Sequence, residues 1–256
     1  MEVYTVLTSE RQQQILDYLG HHKTASVQEL STLLFASAST IRRDLTELEE
    51  NGFIKRVHGG AILTAGSTFD TPASLRKKQQ IVEKSIIADL AKPFLKPSST
   101  YFFDSSSTSA VLAARLADYP DVIIATNGVD IISNMSSSPN LSIISCGGYL
   151  RSPWGELTGN ITKNTIEGLF AETFFFSCAG FSLDHGAMEL SDDNVAVKRC
   201  FYKNSKLHIL LCDSKKFDSQ FFFSSFTTQE IDYIITDKRP ANKAIVETLG
   251  KKLIFP

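Results

Sequence analysis

The chain has 256 residues, 43% of them hydrophobic and 21% charged, a balance that excludes a disordered or fibrous polymer and leaves room for two domains or one large one. Its 26 lysines and arginines stand against 28 aspartates and glutamates, a formal net charge of -2, and within residues 1–63 acidic side chains also outnumber basic ones, so no broad basic footprint is present. No run approaches the roughly 18 apolar residues of a membrane helix, and the opening MEVYTVLTSERQ lacks the apolar core of a secretion signal, which predicts a cytoplasmic chain with no membrane partner.

Two capping boxes open the chain's first helices. Ser9-x-x-Gln12 and Ser26-x-x-Glu29 each pair a capping hydroxyl with an amide or carboxylate that reaches back. Ile15, Leu16 and Leu19 form the apolar stripe of the first helix, and Leu30, Leu33 and Leu34 that of the second. After a short Phe35-Ala36 turn, Ser37 is placed to cap a third helix in which Ile41, Leu45 and Leu48 share one face. Ser39, Thr40, Arg42, Arg43 and Glu47 point elsewhere, and Asn51-Gly52 supplies a stop. Phe53 to Val57 and Ala61 to Leu63 then read as two strands around Gly59-Gly60, a wing beside the helix.

The second and third helices make a helix-turn-helix, whose second member enters the major groove in proteins that read duplex DNA. A plain three-helix bundle with Arg42-Arg43 on a solvated face has the same local signals. Placement favours DNA: Arg42 and Arg43 lie in the first turns of the third helix, and Lys55, Arg56 and His58 lie on the wing that flanks the same groove. Asp44 reads as a structural partner for a neighbouring arginine rather than a base reader, since a carboxylate near phosphates is repelled.

Thr64 to Pro72, small, polar and broken by Gly and Pro, reads as a linker. The expected organisation is a reader at 1–63, a linker at 64–72 and a second domain at 73–256. Ala73 to Lys92 reads as one long amphipathic helix carrying Leu75, Ile81, Val82, Ile86, Ala88 and Leu90, with Arg76-Lys77-Lys78 as its solvated start.

Beyond Pro97 short apolar runs alternate with helical patterns. Tyr101–Phe103, Val122–Ala125, Leu141–Cys146, Thr173–Cys178, Leu207–Cys212 and Tyr233–Ile235 read as strands, with a further one at Leu253–Phe255. Nearly continuous apolar strands between helices predict an α/β domain, a doubly wound and mainly parallel sheet covered on both faces. The Phe174–Phe176 and Phe221–Phe223 runs are assigned to packing. Cys146, Cys178, Cys200 and Cys212 have no metal-ligand spacing and read as buried thiols; no metal or cofactor is expected.

Ligands of such a sheet bind beyond the carboxyl ends of its strands. The residues there are small and polar: Asp104-Ser105-Ser106-Ser107-Thr108, Thr126-Asn127, Gly147-Gly148 with Arg151 close behind, Gly180, Asp213-Ser214-Lys215-Lys216 and Thr236-Asp237. The first group opens a helix, where N–H groups and hydroxyls suit an anion.

Ser37-x-x-Thr40-Ile41-Arg42-Arg43-Asp44-Leu45, Leu48-Glu49, Gly52 and Arg56-Val57-His58-Gly59-Gly60-Ala61 resemble the winged helix-turn-helix of the DeoR family of bacterial transcription regulators. In that family TIRRDL is the recognition helix, which implies that Thr40, Arg42 and Arg43 contact DNA, with the His58-Gly59-Gly60 wing tip near the backbone; by placement Ser39 on the helix and Lys55 and Arg56 on the wing complete the expected interface. The loop motifs of the second half, through about Asp237, resemble the family's sensor domain, similar in fold to the pentose-phosphate isomerase and coenzyme A transferase group.

The resemblance implies a phosphorylated sugar as effector. Ser105, Ser107 and Thr108 would hold phosphate, Asp104 would orient the loop or bind a sugar hydroxyl, and Arg151, Lys198 and Lys216 would supply positive charge. Ser106, Thr126, Asn127, Gly147, Gly148 and Asp213 complete the expected pocket. Four positions depart from the family pattern: Ser106 and Ser177 stand for glycines, Gly186-Ala187-Met188 for Gly-Leu-Thr, and Lys215 for serine. The expected function is an operon repressor relieved by a sugar phosphate, acting as a dimer or tetramer because paired half-sites give affinity that one short helix lacks. The alternatives are a sugar-phosphate isomerase-like enzyme using Asp104, Asp213 or Lys216, and a regulator whose altered pocket has lost its ligand.

Overall fold

The computed structural model describes residues 10–16, 18–19, 22, 24–50, 53–63 and 73–256, which divide into two compact units, Met1–Gln79 and Gln80–Pro256. The Ser9 capping box, the Asn51-Gly52 stop and the expected linker at 64–72 lie outside the described residues.

In the first unit, β1 (Thr24–Ser26) leads directly into α1 (Val27–Leu33), followed by α2 (Ala38–Glu50), β2 (Ile54–Val57) and β3 (Gly60–Leu63). The second capping box is present: Glu29 N–H donates to Ser26 Oγ at 3.1 Å and Ser26 N–H donates to Glu29 Oε2 at 2.7 Å. Ser37 caps α2, accepting the Thr40 N–H at 3.2 Å. Ile41, Leu45 and Leu48 are buried with Ile15, Leu19, Leu30 and Phe53 in one small core, as the periodicity predicts. Leu33 departs from its predicted stripe and is exposed, because α1 turns only its Val27–Leu30 side inward.

The wing gains a strand that sequence periodicity did not reveal. β1 pairs antiparallel with β3, which pairs with β2, so the hairpin belongs to a three-stranded sheet with β3 at its centre. This explains Gly60: a Cβ there would lie 2.1 Å from the Ala25 carbonyl oxygen, where β1 crosses.

The expected long helix over 73–92 is divided, its first part falling in the first unit and its second opening the other. α3 (Ala73–Arg76) and α4 (Ile81–Ala91) are separate, because Gln80 adopts φ 50 and ψ 41 in the left-handed region, which a continuous helix cannot contain. The apolar stripe is consequently rotated, with Ile87, Ala88 and Ala91 buried while Ile81 and Val82 are exposed.

A seven-stranded parallel sheet follows, with β4 (Thr100–Phe103), β5 (Val122–Thr126), β6 (Leu141–Ser145), β9 (Ala171–Phe176), β12 (Ser205–Leu211), β14 (Tyr233–Ile235) and β15 (Leu253–Ile254). The strand order is β15-β14-β12-β9-β4-β5-β6, every pairing parallel. The chain winds outward from β4 through β5 to β6, then returns to β9 and winds outward the other way. The topological switch point therefore lies between β4 and β9.

Side chains alternate across the sheet with period two. Phe102, Phe174 and Phe176 enter one core with Val197 and Phe201, while Tyr101, Phe103 and Phe175 enter the other with Ile87 and Leu112. The helices involved cover opposite faces: α4, α5 (Ser107–Ala113) and α6 (Val129–Met135) on one, α7 (Asn160–Glu167), α8 (Asp192–Lys203) and α9 (Lys243–Leu249) on the other. The first phenylalanine run thus packs as expected. The second does not, since Phe222 is 90% exposed in the segment entering β13 (Phe223–Phe226).

Two small antiparallel additions overhang the carboxyl edge of the sheet: the hairpin β7 (Tyr149–Arg151) and β8 (Glu156–Thr158), and a sheet of β10 (Gly180–Ser182), β11 (Gly186–Glu189) and β13. All four cysteines are free thiols, and burial pushes the Cys146 thiol up to about 12. Among the described residues no helix is long and apolar enough to cross a membrane.

Candidate functional site

The recognition element is fixed from behind. Asp44, fully buried, accepts two hydrogen bonds from Arg11, at 2.5 Å from Nε and 3.0 Å from Nη2, and Gln12 donates to Glu47 at 2.5 Å. These contacts clamp the first helical segment onto α2, and the bond to Asp44 raises the Arg11 pKa above its usual value. The expected partnership with a neighbouring arginine is corrected: Asp44 points into the core and is bonded to Arg11, 33 residues away, while Arg42 and Arg43 are exposed.

Ser37 Oγ lies 2.8 Å from both Ser39 Oγ and Thr40 Oγ1, so the hydroxyls at the head of α2 form one cluster. On the wing, Lys55, Arg56, His58 and Gly59 are exposed. Arg56 is tied back to α2: its N–H donates to Glu49 at 2.7 Å and its Nη1 to Thr46 Oγ1 at 3.1 Å. The wing and the helix thus hold a common register.

In the second unit the strand ends gather a buried charge cluster at the switch point. Asp104, just past β4, accepts three hydrogen bonds and is paired with one ammonium. Ser106 N–H at 3.1 Å and Ser109 Oγ at 2.5 Å reach Oδ1, while Ser177 N–H at 3.0 Å and Lys198 Nζ at 3.1 Å reach Oδ2. Burial alone would raise the Asp104 pKa, but the Lys198 ammonium and these donors hold it below the ordinary aspartate value. The carboxylate is committed to holding its own loop to β9 and α8.

Lys198 is itself shared. Its Nζ also donates to Glu189 on β11 and, at 2.6 Å, to the Ser177 carbonyl. One ammonium therefore serves two buried carboxylates. Burial pushes Glu189 up to about 7; the Lys198 ammonium opposes that rise and the nearby Asp104 carboxylate adds to it by repulsion. Lys198 stays charged: burial lowers its pKa, and Glu189 and Asp104 together raise it past its usual value.

A stability prediction follows, since Glu189 binds its proton more tightly folded than unfolded. Stability from this group is fully present below the ordinary glutamate pKa near 4.5 and is lost as pH rises through about 7. Denaturation at pH 5 and pH 7.5 is expected to show the wild type losing stability relative to Glu189→Gln across that interval. Parallel pH profiles for the two proteins would contradict it.

Lys216, past β12, is 3.0 Å from Ser177 Oγ and 3.4 Å from Asp213 Oδ2, with its side chain 25% exposed. Burial lowers its pKa but Asp213 more than compensates, so it remains a cation at the edge of the cluster. Ser177 Oγ donates in turn to the Leu211 carbonyl at 2.7 Å. The serine that stands for a glycine is thus fully used, bracing Lys216 against two strand ends.

A second network adjoins the first through the Asp104 loop. Ser105 Oγ donates to Glu156 at 3.2 Å, and Glu156, buried on β8, also accepts from Arg151 at 2.8 Å and from Asn194 at 2.8 Å. Arg151 further donates to Ser191 Oγ at 2.8 Å and lies 4.5 Å over the Trp154 ring.

Ser106 caps α5 with its side chain and has φ -73, so no left-handed backbone is needed where the family pattern has glycine. Ser107 is half-buried and Thr108 buried at the head of the same helix. Thr126 Oγ1 accepts the Gly128 N–H at 3.0 Å. Asn127 donates to the Leu157 carbonyl at 3.1 Å while its buried Oδ1 has no hydrogen-bond partner. At Gly148, φ is +110 and a Cβ would meet Thr162 Oγ1 at 2.1 Å; with the Thr162-to-Gly147 bond of 2.6 Å, this glycine pair seats α7. Met188 is buried, its sulfur accepting the Phe221 N–H at 3.5 Å, rather than lining a polar surface.

Glu156 and Glu189 are the charged residues of these networks that the strand-end reading omitted. The available signal was a carboxylate within a short, otherwise apolar segment, WGELT or GAMEL, where burial implies a partner. Among the described residues no group of three or more histidine, cysteine or carboxylate side chains is placed to hold a metal ion.

This arrangement coincides with two family matches: residues 11–65 match a DeoR-like helix-turn-helix domain, and residues 79–238 match the DeoR C terminal sensor domain. The chain is 34% identical over 236 residues to the HTH-type transcriptional regulator GolR of Listeria innocua, covering 92% of each chain. It is 30% identical over 232 residues to the glycerol-3-phosphate regulon repressor of Escherichia coli K12, covering 91% of this chain and 92% of that one. Among solved structures, ribose 5-phosphate isomerase from Plasmodium falciparum is similar at a TM-score of 0.37 with 10% identity, over 53% of this chain and 52% of that one, too loose a likeness to bear on function. With a winged helix-turn-helix in one unit, a buried charge cluster at the switch point of the other and relatives matched nearly end to end, the chain belongs to the DeoR family of transcription regulators.

Proposed function

We propose that this regulator represses a carbohydrate-use operon and is released by a phosphorylated sugar or related metabolite. The reader, residues 1–63, holds double-stranded operator DNA through Ser39, Thr40, Arg42 and Arg43 of α2 and Lys55, Arg56, His58 and Gly59 of the wing. The sensor, residues 73–256, takes the effector at the strand ends around the switch point, through the Asp104–Thr108 loop, Thr126, Asn127, Gly147, Gly148, Arg151, Lys198, Asp213 and Lys216. The observation that carries this reading is the joining of Lys198 and Lys216 to the ends of β4, β9 and β12 at the point where the strand order reverses. The protein works in the cytoplasm as a dimer or tetramer, since one recognition helix contacts too few bases for operator affinity.

Release is linkage: an effector lowers operator affinity in proportion to its preference for the DNA-free arrangement. The relative named as the glycerol-3-phosphate regulon repressor supports the carbohydrate reading. Isomerase turnover is not expected, because the buried Asp104 carboxylate is engaged by three hydrogen bonds and by the Lys198 ammonium. Turnover of an aldose or ketose phosphate by the purified protein would reverse that conclusion.

The test is binding to DNA upstream of the protein's own gene at fixed salt, with and without a panel of sugar phosphates. Specific binding relieved by one compound is the expected result, and specific binding unmoved by all of them would remove the effector from the reading. Lys216→Ala is expected to abolish that relief while leaving operator affinity within about twofold, because Lys216 is the partly exposed cation of the cluster. An unchanged response would take Lys216 out of the pocket.

A further inference from the structure

The turn between α1 and α2 carries a residue that the fold does not need. α1 closes with Leu34 as its C-cap, Leu34 N–H donating to the Leu30 carbonyl at 3.0 Å and Ala36 N–H reaching back to the Ser31 carbonyl at 3.1 Å. That last bond defines a Schellman closure, in which the intervening residue must adopt the left-handed conformation and is usually glycine. Here it is Phe35, with φ 49 and 97% exposure.

Both features act against the folded reader. A side chain with a Cβ is disfavoured in the left-handed region, more so when bulky. An aromatic ring left in water gains nothing from packing. Glycine or asparagine at this position would fit the turn better on both counts. Residues kept in a costly conformation where a cheaper one would serve are found where they act on something else.

The partner is indicated by position. Phe35 stands two residues before Ser37, the cap of α2, and its exposed neighbours across the turn are Ser37, Ala38 and Ser39, followed by Arg42 and Arg43. In a helix-turn-helix the second helix enters the major groove by its N-terminal end and the first crosses the backbone, so the turn between them lies at the lip of the groove. An exposed aromatic there is continuous with the surface that meets DNA.

We infer that Phe35 is a DNA-contact residue of this regulator, its ring packing on the apolar surface at the edge of the major groove, a deoxyribose face or a thymine methyl. Such a contact neutralises no phosphate, so it adds affinity without adding to the salt dependence. The inference rests on the DNA-binding reading of α2, which binding of the unsubstituted chain to the same fragment tests on its own.

The experiment compares the full-length wild type with Phe35→Asn, Phe35→Gly and Phe35→Leu on the promoter fragment that the wild type selects, across a salt series. Asn and Gly are expected to weaken binding about tenfold or more, the order of a lost buried aromatic contact, while leaving the salt slope unchanged and the thermal transition no lower than that of the wild type. Leu, which keeps an apolar group, is expected to fall between. Replacing thymine by uracil in the half-site distinguishes the two surfaces: a loss seen in the wild type and absent in Phe35→Gly assigns the methyl, and no loss assigns the sugar. Affinity of both Asn and Gly within twofold of the wild type would overturn the inference. So would a loss accompanied by a changed oligomeric state in sedimentation, which would assign the ring to a contact between copies of the chain.

Discussion

Lys198→Met is expected to destabilise the sensor by about 3–5 kcal/mol, the usual consequence of removing one partner from a buried ion pair, and for a unit of this size to lower Tm by roughly 10 °C. The ammonium is 3.1 Å from Asp104 and also bonded to Glu189 and to the Ser177 carbonyl, with its side chain 4% exposed. Methionine replaces its volume but none of its charge. Asp104 keeps three donors and tolerates the change in part; Glu189 has no comparable set and must take up a proton. The cost is therefore expected to shrink by at least about 1 kcal/mol on a Glu189→Gln background, where no second carboxylate needs the lysine. Urea denaturation of the four proteins of that cycle provides the check. Equal losses on both backgrounds would show that Lys198 and Glu189 are not coupled.

Arg43→Ala is expected to weaken operator binding by about 1–3 kcal/mol, with Arg42→Ala as its companion measurement. Both side chains are exposed on α2, and the adjacent carboxylate, Asp44, is turned into the core and bonded to Arg11. The planar guanidinium can then bind guanine or phosphate oxygens in pairs. A loss confined to operator, sparing unrelated DNA, assigns the residue to a base edge. A loss equal on all sequences, with the salt slope lower by about one, assigns it to phosphate. Unchanged affinity on both would remove the residue from the interface.

Much of the reader was legible because its signals are local. A hydroxyl at Ser26 or Ser37 meets an N–H three residues on, and Ile41, Leu45 and Leu48 must share a face whatever surrounds them. The seven parallel strands were likewise legible as short apolar runs, since a strand covered on both faces needs no polar alternation. The break at Gln80 was hidden, because a residue driven into the left-handed region by its surroundings leaves no trace in helical periodicity. β1 was hidden for a similar reason: three residues paired to β3 are too few to show a period.

By itself, then, the amino-acid order determined the capped helices of the reader, the two-faced sheet of the sensor and the polar loops at its strand ends, all consequences of interactions within a few residues. Only the tertiary structure decided that Asp44 belongs to Arg11, that Lys198 joins Asp104 to Glu189, and that Ser177 braces Lys216. Those partners come from separate strands and helices, and Coulomb attraction and desolvation depend on distance and burial in space. The winding that reverses between β4 and β9 sets the distances among Asp104, Ser177, Lys198 and Lys216, and the packing of the helices onto α2 sets that between Asp44 and Arg11.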